Sequence, residues 1–182
     1  MQRKVLTAIL CTALVAIACV HAAAASADFE RDVIYGRQHR YYFDKKIEGE
    51  TAEDSAWEFE FEVFDGATFT VDTKGQDDLT LGANCDYDDA VLDCYPDATL
   101  LFFNGNGDYF RHYGMLYLPA EPGSYLYRNI NRTLYDIGVV YSEEADGFLV
   151  RTRNLSQYVI SDKSLPVEKL EADNPLLVEP LN

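Results

Sequence analysis

Strict alternation of acidic and apolar residues is the feature that most constrains how this chain can fold. From Glu58 to Val63 the sequence reads Glu-Phe-Glu-Phe-Glu-Val, so every second side chain is a glutamate. Successive side chains of a β-strand point to opposite faces, and the pattern therefore predicts a half-buried strand with a glutamate outer face. Phe69 and Val71 continue the alternation after a short gap. We expect this stretch to supply one wall of a hydrophobic core.

Further short apolar segments follow along the chain, separated by turn residues and with hardly any helical periodicity. The predicted strands are 39–47, 79–81, 98–103, 115–118, 125–130, 134–142, 148–153 and an edge strand at 158–160. Such spacing predicts an all-β protein, here a jelly-roll-like antiparallel β-sandwich. We assign the sandwich to residues 28–161. Residues 162–182 are predicted to be an acidic, proline-containing, short flexible tail, with at most a short helix at 167–172.

Three turn signals bear on how these strands pair. A two-residue turn at Asp65-Gly66 would put the apolar sets of its strands on opposite faces, so we expect either a bulged three-residue turn or a strand crossing to the other sheet. A two-residue turn at Asp146-Gly147 aligns the apolar residues and predicts a hairpin of 134–142 with 148–153. The run Asn104-Gly105-Asn106-Gly107 predicts a turn that ends strand 98–103, because Asn and Gly tolerate positive φ.

The N-terminus has the features of a targeting segment. Arg3 and Lys4 precede an apolar run, and Ala25-Ser26-Ala27 offers a small-residue cleavage site. The run is shorter than the roughly 20 residues that span a bilayer, and it lacks a basic flank on its far side. We therefore predict a signal peptide at residues 1–27, a secreted or periplasmic protein, and no transmembrane segment after cleavage. The alternative is a lipoprotein acylated at Cys19.

Charge and aromatic content narrow the class of partner. The chain has 31 acidic and 15 basic residues, a formal net charge of −16, which repels nucleic acid and anionic lipid. Thirteen tyrosines are many for this length, and exposed aromatic rings make flat apolar contacts to ligands. We predict an extracellular protein or a carbohydrate as partner, with Tyr41, Tyr42, Tyr109 and Tyr113 as candidate ligand-binding residues. The alternative for most tyrosines is a structural role in strands.

Two cysteines remain once the signal peptide is removed. Cys85 and Cys94 form an even set in an exported chain, which predicts a disulfide between them. The loop that this bond would close is short, so its expected contribution to stability is a little under about 3 kcal/mol.

Acidic and amide side chains crowd the region around these cysteines. Calcium takes about 6–8 oxygen ligands, often from loops. The candidate ligands for a calcium ion are Asp86, Asp88, Asp89, Asn104, Asn106 and Asp108. The spacing is not that of an EF-hand, because Tyr109 stands where that loop needs glycine. The other interpretation, which an acidic chain favours, is a set of solvated loops whose Asp and Asn residues form turns.

Three stretches together resemble the pre-peptidase C-terminal domain family of secreted proteins. They are EFEFEVFDGATFTV (58–71), DATLLFFNGNGDYF (97–110) and LPAEPGSYLY (118–127). The resemblance implies a jelly-roll-like sandwich that serves as an accessory module of extracellular enzymes and in some members binds calcium or polymer surfaces. This chain departs from the family in the loop 85–94 and in residues 131–182, and no peptidase domain precedes the resembling stretches.

The residues suggest a binding module more than an enzyme. Nucleophilic catalysis needs a base beside Ser or Cys, and only His39 and His112 follow the signal peptide. The alternative is a small extracellular hydrolase with paired carboxylates, as in glycoside hydrolysis, because their separation is not visible in a sequence. Asn131 and Asn154 stand in glycosylation motifs that matter only in a eukaryotic source. We therefore predict a secreted, non-catalytic binding or surface-associated module, calcium-stabilised if the acidic loops hold the ion.

Overall fold

Two β-sheets packed face to face form the described part of this protein. The computed structural model describes residues 30–34, 39–42, 56–76 and 78–170. In chain order its strands are β1 (Glu30–Ile34), β2 (His39–Tyr42), β3 (Ala56–Phe61), β4 (Thr68–Asp72), β5 (Asp78–Asn84), β6 (Leu100–Gly107), β7 (Gly114–Pro119), β8 (Tyr125–Ile130), β9 (Thr133–Asp136), β10 (Gly147–Thr152), β11 (Gln157–Ser161) and β12 (Glu168–Lys169). A short helix, α1 (Asp89–Cys94), follows β5. The predicted all-β sandwich is confirmed.

Several predicted segments lie outside the described residues. They are the signal peptide at 1–27 with Cys19, the second half of the strand predicted at 39–47, and residues 171–182 of the predicted tail. Within the part that is described, no helix is long and apolar enough to cross a membrane.

The sheets have five and seven strands. The five-stranded sheet has the order β1-β3-β4-β7-β10, and the seven-stranded sheet has the order β12-β9-β8-β11-β6-β5-β2. Pairing is antiparallel except at two edges, where β1 runs parallel to β3 and β12 parallel to β9. The prediction that 158–160 is an edge strand is wrong, because β11 lies between β8 and β6. Its buried side chains on both faces agree with this central position.

Alternation along β3 and β4 builds the inner wall of the core. Phe59 lies opposite Phe69, and both rings are fully buried and pack against Phe110. Glu60 is exposed on the outer face, as its position in the pattern predicts. The central core between the sheets comprises Ile34, Phe59, Phe61, Ala67, Phe69, Val71, Leu79, Leu81, Ala83, Phe103, Phe110, Leu116, Leu118, Leu126, Phe148, Val150, Leu155, Tyr158 and Ile160. Each large apolar side chain buried there contributes about 1.5–3 kcal/mol of transfer free energy.

The connection at Asp65-Gly66 follows neither predicted alternative. β3 and β4 pair in one sheet, so no strand crosses over. The Phe61 N–H donates to the Ala67 carbonyl at 3.0 Å, which leaves a five-residue loop instead of a three-residue turn. The reason lies in the loop itself, since Val63 and Phe64 are partly buried against the central core.

The hairpin predicted at Asp146-Gly147 is wrong. β10 pairs with β7, and its backbone pairing with the preceding segment is limited to a single bridge between Ser142 and Gly147. Gly147 is fixed by this pairing, because a Cβ there would lie 2.5 Å from the Leu118 carbonyl oxygen. The apolar residues of 134–142 and 148–153 align in the predicted hairpin, but β10 forms a longer ladder of paired residues with β7.

The turn predicted at 104–107 is also wrong, because β6 continues through these residues. Gly105 has an extended backbone, and its missing side chain allows close approach of the segment that leads into β11: a Cβ there would lie 2.7 Å from the Cβ of Leu155 and 2.8 Å from the Ser156 carbonyl oxygen. Gly107 alone in this stretch has a positive φ, 145°. Asn104 and Asn106 therefore point to the outer face of the seven-stranded sheet, and Gly105 between them faces inward.

A second apolar cluster covers part of that outer face. The outer cluster consists of Val91, Phe102, Tyr127, Leu134, Val159 and Leu165. The Leu165 N–H donates to the Tyr127 hydroxyl at 2.8 Å, and Leu170 is buried. Residues 162–170 thus pack as part of the sandwich, which corrects the boundary predicted at 161 and replaces the short helix expected from 167 with β12.

Truncating Phe59 should test the central core. We expect Phe59→Ala to lower the free energy of unfolding by about 3–5 kcal/mol, because the buried ring leaves a cavity among Phe69 and Phe110. Glu60→Ala, one residue along the same strand but exposed, should change it by less than about 0.5 kcal/mol. Urea denaturation followed by Trp57 fluorescence measures both. Equal effects from the two variants would contradict the assignment of inner and outer faces.

Candidate functional site

Four amide side chains form a row across the outer face of the seven-stranded sheet. Asn84 of β5 lies opposite Asn104 of β6, and Asn104 lies opposite Gln157 of β11. The register of β11 with β8 continues the row, because it pairs Tyr158 with Arg128 and so places Gln157 opposite Asn129. Side chains directly opposite each other have Cβ atoms about 4.5–5.5 Å apart. We call Asn84, Asn104, Gln157 and Asn129 the amide row.

The loop after β5 is bound to one end of this row. The Asn84 Oδ1 atom accepts from the Asp86 backbone N–H and from the Asn104 Nδ2 group, both at 3.0 Å. The same Nδ2 group donates to the Asp86 carbonyl oxygen at 2.5 Å. Both N–H bonds of the Asn104 amide are thereby used within the protein. Its Oδ1 atom keeps its capacity to accept a hydrogen bond.

Asp88 and Arg132 form a wall beside the row. Asp88 caps α1, with Oδ1 accepting from the Ala90 N–H at 3.0 Å. The other carboxylate oxygen, Oδ2, accepts from Arg132 Nε at 3.1 Å. The guanidinium is largely exposed, so the ion pair contributes little to stability and mainly holds the arginine in place.

The turn that carries Arg132 has an unfavourable backbone. Asn131 and Arg132 connect the paired residues Ile130 and Thr133 and have positive φ, 52° and 68°. These are the features of a type I′ turn, which favours Asn followed by Gly. A bulky residue in the left-handed region costs about 1–2 kcal/mol. Retaining arginine where glycine fits better suggests a role for its side chain.

Asn129 is the residue of the row with an unmet hydrogen bond. Its side chain is only 8% exposed, and its Oδ1 atom is buried with no hydrogen-bond partner among the described residues. An unsatisfied buried acceptor costs about 1–3 kcal/mol. Native structures contain few such atoms, and each calls for an explanation such as a bound ligand.

These parts line a cavity that is widely open to solvent, which we call the amide cavity. It has a volume of about 590 Å³, within the range of about 300–1,000 Å³ typical of small-molecule sites. Its lining residues are Asn84, Asp86, Tyr87, Asp88, Asp89, Ala90, Asn104, Asn129, Arg132 and Gln157. The cavity therefore has an amide floor, a rim with three carboxylates and one guanidinium, and an aromatic side chain that is 73% exposed, Tyr87.

The six residues predicted to bind calcium divide between two places. Four of them line the amide cavity, namely Asp86, Asp88, Asp89 and Asn104. Asn106 and Asp108 lie further along, because β6 runs straight where a turn was predicted, and Asp108 accepts from the Thr80 N–H at 2.8 Å. Within 56–76 and 78–170, as in the shorter described segments, no three His, Cys, Asp or Glu side chains gather as a metal ion requires. The predicted calcium set is therefore not a single cluster.

The tyrosines predicted to bind ligand lie away from the amide cavity. Tyr109 and Tyr113 are exposed, and the Arg151 guanidinium covers the Tyr113 ring at 4.0 Å from its centroid. Tyr41 and Tyr42 belong to β2, and their side chains lie outside the described part of the structure.

Sequence reasoning missed more than half of the cavity. The six lining residues that were not predicted as site residues are Asn84, Tyr87, Ala90, Asn129, Arg132 and Gln157. One signal for Asn129 existed, since it is an amide two residues after Tyr127, on the same face of an apolar strand. The rest depended on which strands become neighbours.

The disulfide predicted between Cys85 and Cys94 is not formed in the structure, where both cysteines are free. The Cys85 thiol donates to the Val63 carbonyl oxygen at 2.7 Å, whereas Cys94 is exposed in the last turn of α1. The helix, which was not predicted, gives the two cysteines these different environments. Partial burial and the neighbouring Asp86 carboxylate raise the pKa of the Cys85 thiol.

Comparisons with known proteins do not extend this description. No protein-family model, curated protein or solved structure matches the chain. The resemblance to the pre-peptidase C-terminal domain family therefore stays a prediction.

The two thiols should differ in reactivity. The thiolate is the reactive form, so the raised pKa and partial burial of Cys85 should slow its alkylation relative to exposed Cys94. We expect iodoacetamide at pH 8 to modify Cys94 first, as measured by peptide mass spectrometry over time. Absence of modification at both residues until a reductant is added would instead establish the disulfide.

Proposed function

We propose that this protein is an exported, non-catalytic binding module whose ligand occupies the amide cavity. The observation that carries the proposal is the buried amide of Asn129, which lines the cavity and whose Oδ1 atom has no partner among the described residues. Rotation of this amide about χ2 would present Oδ1 to a ligand donor, and the resulting hydrogen bond would remove the desolvation penalty of the atom. The signal peptide and the export that it implies belong to the proposal and stay predictions.

The two unfavourable features of this region support a role in binding. The unmet acceptor of Asn129 and the positive φ of Arg132 both lower the stability of the unliganded protein. They lie at the same cavity, on adjoining parts of β8 and the β8–β9 turn. Residues that lower the stability of a protein without a structural benefit are expected mainly at functional sites.

A carboxylate-based hydrolase remains the alternative prediction. The cavity contains carboxylates, but Asp88 already accepts hydrogen bonds from Ala90 and Arg132 with its two oxygens. Nothing in the described contacts favours catalysis over binding, so the module is the function we propose.

Replacing Asn129 tests the proposal without knowledge of the ligand. Asn129→Leu removes the unpaired acceptor and extends the outer cluster beside Tyr127 and Leu134, so the unliganded protein should become more stable. We expect a gain of about 1 kcal/mol, which corresponds to a rise in Tm of about 2–4 °C for a domain of this size. Differential scanning calorimetry measures it.

Asn154→Leu is the matched control. The Asn154 Oδ1 atom accepts from the Ser156 hydroxyl at 3.2 Å, so this change should lower stability by about 1 kcal/mol. If Asn129→Leu destabilises the protein as much as Asn154→Leu does, Asn129 has a structural role and the proposed function loses its main support.

A further inference from the structure

From the chemistry of its lining we infer that the ligand of the amide cavity is a short, neutral oligosaccharide. This inference rests on the proposed function and adds the class of ligand. Three observations support it: the hydrogen-bonding capacity of the floor, the charges of the rim, and the position of Tyr87.

The floor matches a row of hydroxyl groups. Asn104 Oδ1 can accept, Asn129 Oδ1 can accept once its amide turns toward the ligand, and the Gln157 side chain, which bonds to no described residue, can both donate and accept. A hydroxyl group also donates and accepts, so a ligand with several hydroxyl groups along its length can satisfy all three amides. The three positions span two strand spacings, about 10 Å, a length that a disaccharide reaches. A ligand with a single polar group would leave most of the floor unsatisfied.

The charges of the rim favour a neutral ligand over an anion. Asp86, Asp88 and Asp89 face one guanidinium, that of Arg132, and the whole chain has a formal net charge of −16. Sugars with carboxylate or sulfate groups would bring like charges together at close range. The same rim can bind neutral hydroxyls, because the Asp86 and Asp89 carboxylates can accept hydrogen bonds from them and the Arg132 guanidinium can donate to them.

The contacts also argue against a bare cation as occupant. Asp88 has both carboxylate oxygens engaged, one by α1 and one by Arg132. The Arg132 guanidinium would repel a cation in the cavity. The volume of about 590 Å³ also greatly exceeds the space of one ion with its oxygen ligands.

Tyr87 supplies a flat apolar surface at the mouth of the cavity. Its side chain is 73% exposed although the outer cluster lies close by in sequence, at Val91. A large aromatic ring left in solvent beside polar groups is a feature of binding surfaces, because it offers apolar contact area together with a polar tip. The C–H face of a sugar ring is the complementary surface.

Binding measurements on the purified protein test the inference. The probes are immobilised neutral oligosaccharides of glucose, mannose, galactose, xylose and N-acetylglucosamine, the corresponding uronic-acid and sulfated forms, and calcium chloride alone. We expect binding of at least one neutral oligosaccharide and no preference for the anionic forms. Tyr87→Ala and Asn129→Leu should each weaken it by about tenfold, since each variant loses one contact with the oligosaccharide.

Tyr109→Ala is the matched control, because Tyr109 is exposed but lies away from the cavity. It should bind the oligosaccharide as the unmodified protein does. The exposed position of Tyr87 makes its alanine variant a test that does not depend on folding, and calorimetry of each variant verifies this.

The outcomes separate this inference from the proposed function. Binding only of anionic sugars or of calcium, lost in Asn129→Leu, would overturn the oligosaccharide but leave a binding module at the cavity. Oligosaccharide binding that is equal in all variants would overturn both. No binding to any probe would reject the oligosaccharide, and the stability of Asn129→Leu would then decide the proposed function.

Discussion

Phenylalanine rings that meet between the two sheets are the contact on which the rest of this structure depends. Phe59 and Phe69 lie opposite each other on β3 and β4, and Phe110 packs against both from the loop after β6. Because side chains alternate along a strand, burying these rings obliges their neighbours to face outward. Glu60 is on the outer face of β3 for this reason, and the same rule places Asn104 outside when Phe103 is buried inside.

The outer face of the seven-stranded sheet is only partly apolar, and other segments of the chain cover its apolar part. α1 and residues 165–170 bury Tyr127 and Phe102 in the outer cluster, and the Tyr127 hydroxyl accepts from the Leu165 N–H. Two residues beyond Tyr127, the strand is still buried but the side chain is the amide of Asn129. The apolar cover thus ends where the amide row begins, and at this boundary lies a buried acceptor that no described residue satisfies.

Local patterns and tertiary pairing disagreed wherever a glycine could serve two purposes. The run from Asn104 to Gly107 has the composition of a turn, yet it is strand, because Gly105 lets Leu155 and Ser156, just before β11, approach closely. Asp146-Gly147 has the composition of a tight hairpin, yet Gly147 accommodates the backbone of β7. In both cases the alternative partner was distant in sequence, and short-range reasoning has no access to it. The candidate site was only partly predicted for the same reason, because its amide row exists only if β6 continues as a strand through Asn104.

Two-residue periodicity by itself determined the all-β class, the inner faces of β3 and β4, and the acidic outer surface, because side-chain direction in a strand follows from local geometry alone. Composition also pointed to the loop at Asp86, Asp88 and Asp89. Only the tertiary structure decided that β5, β6, β11 and β8 are neighbours in that order. That order brings Asn84, Asn104, Gln157 and Asn129 into one row, although up to 73 residues separate them along the chain. Hydrogen bonding between strands sets such a row, and no local pattern encodes it.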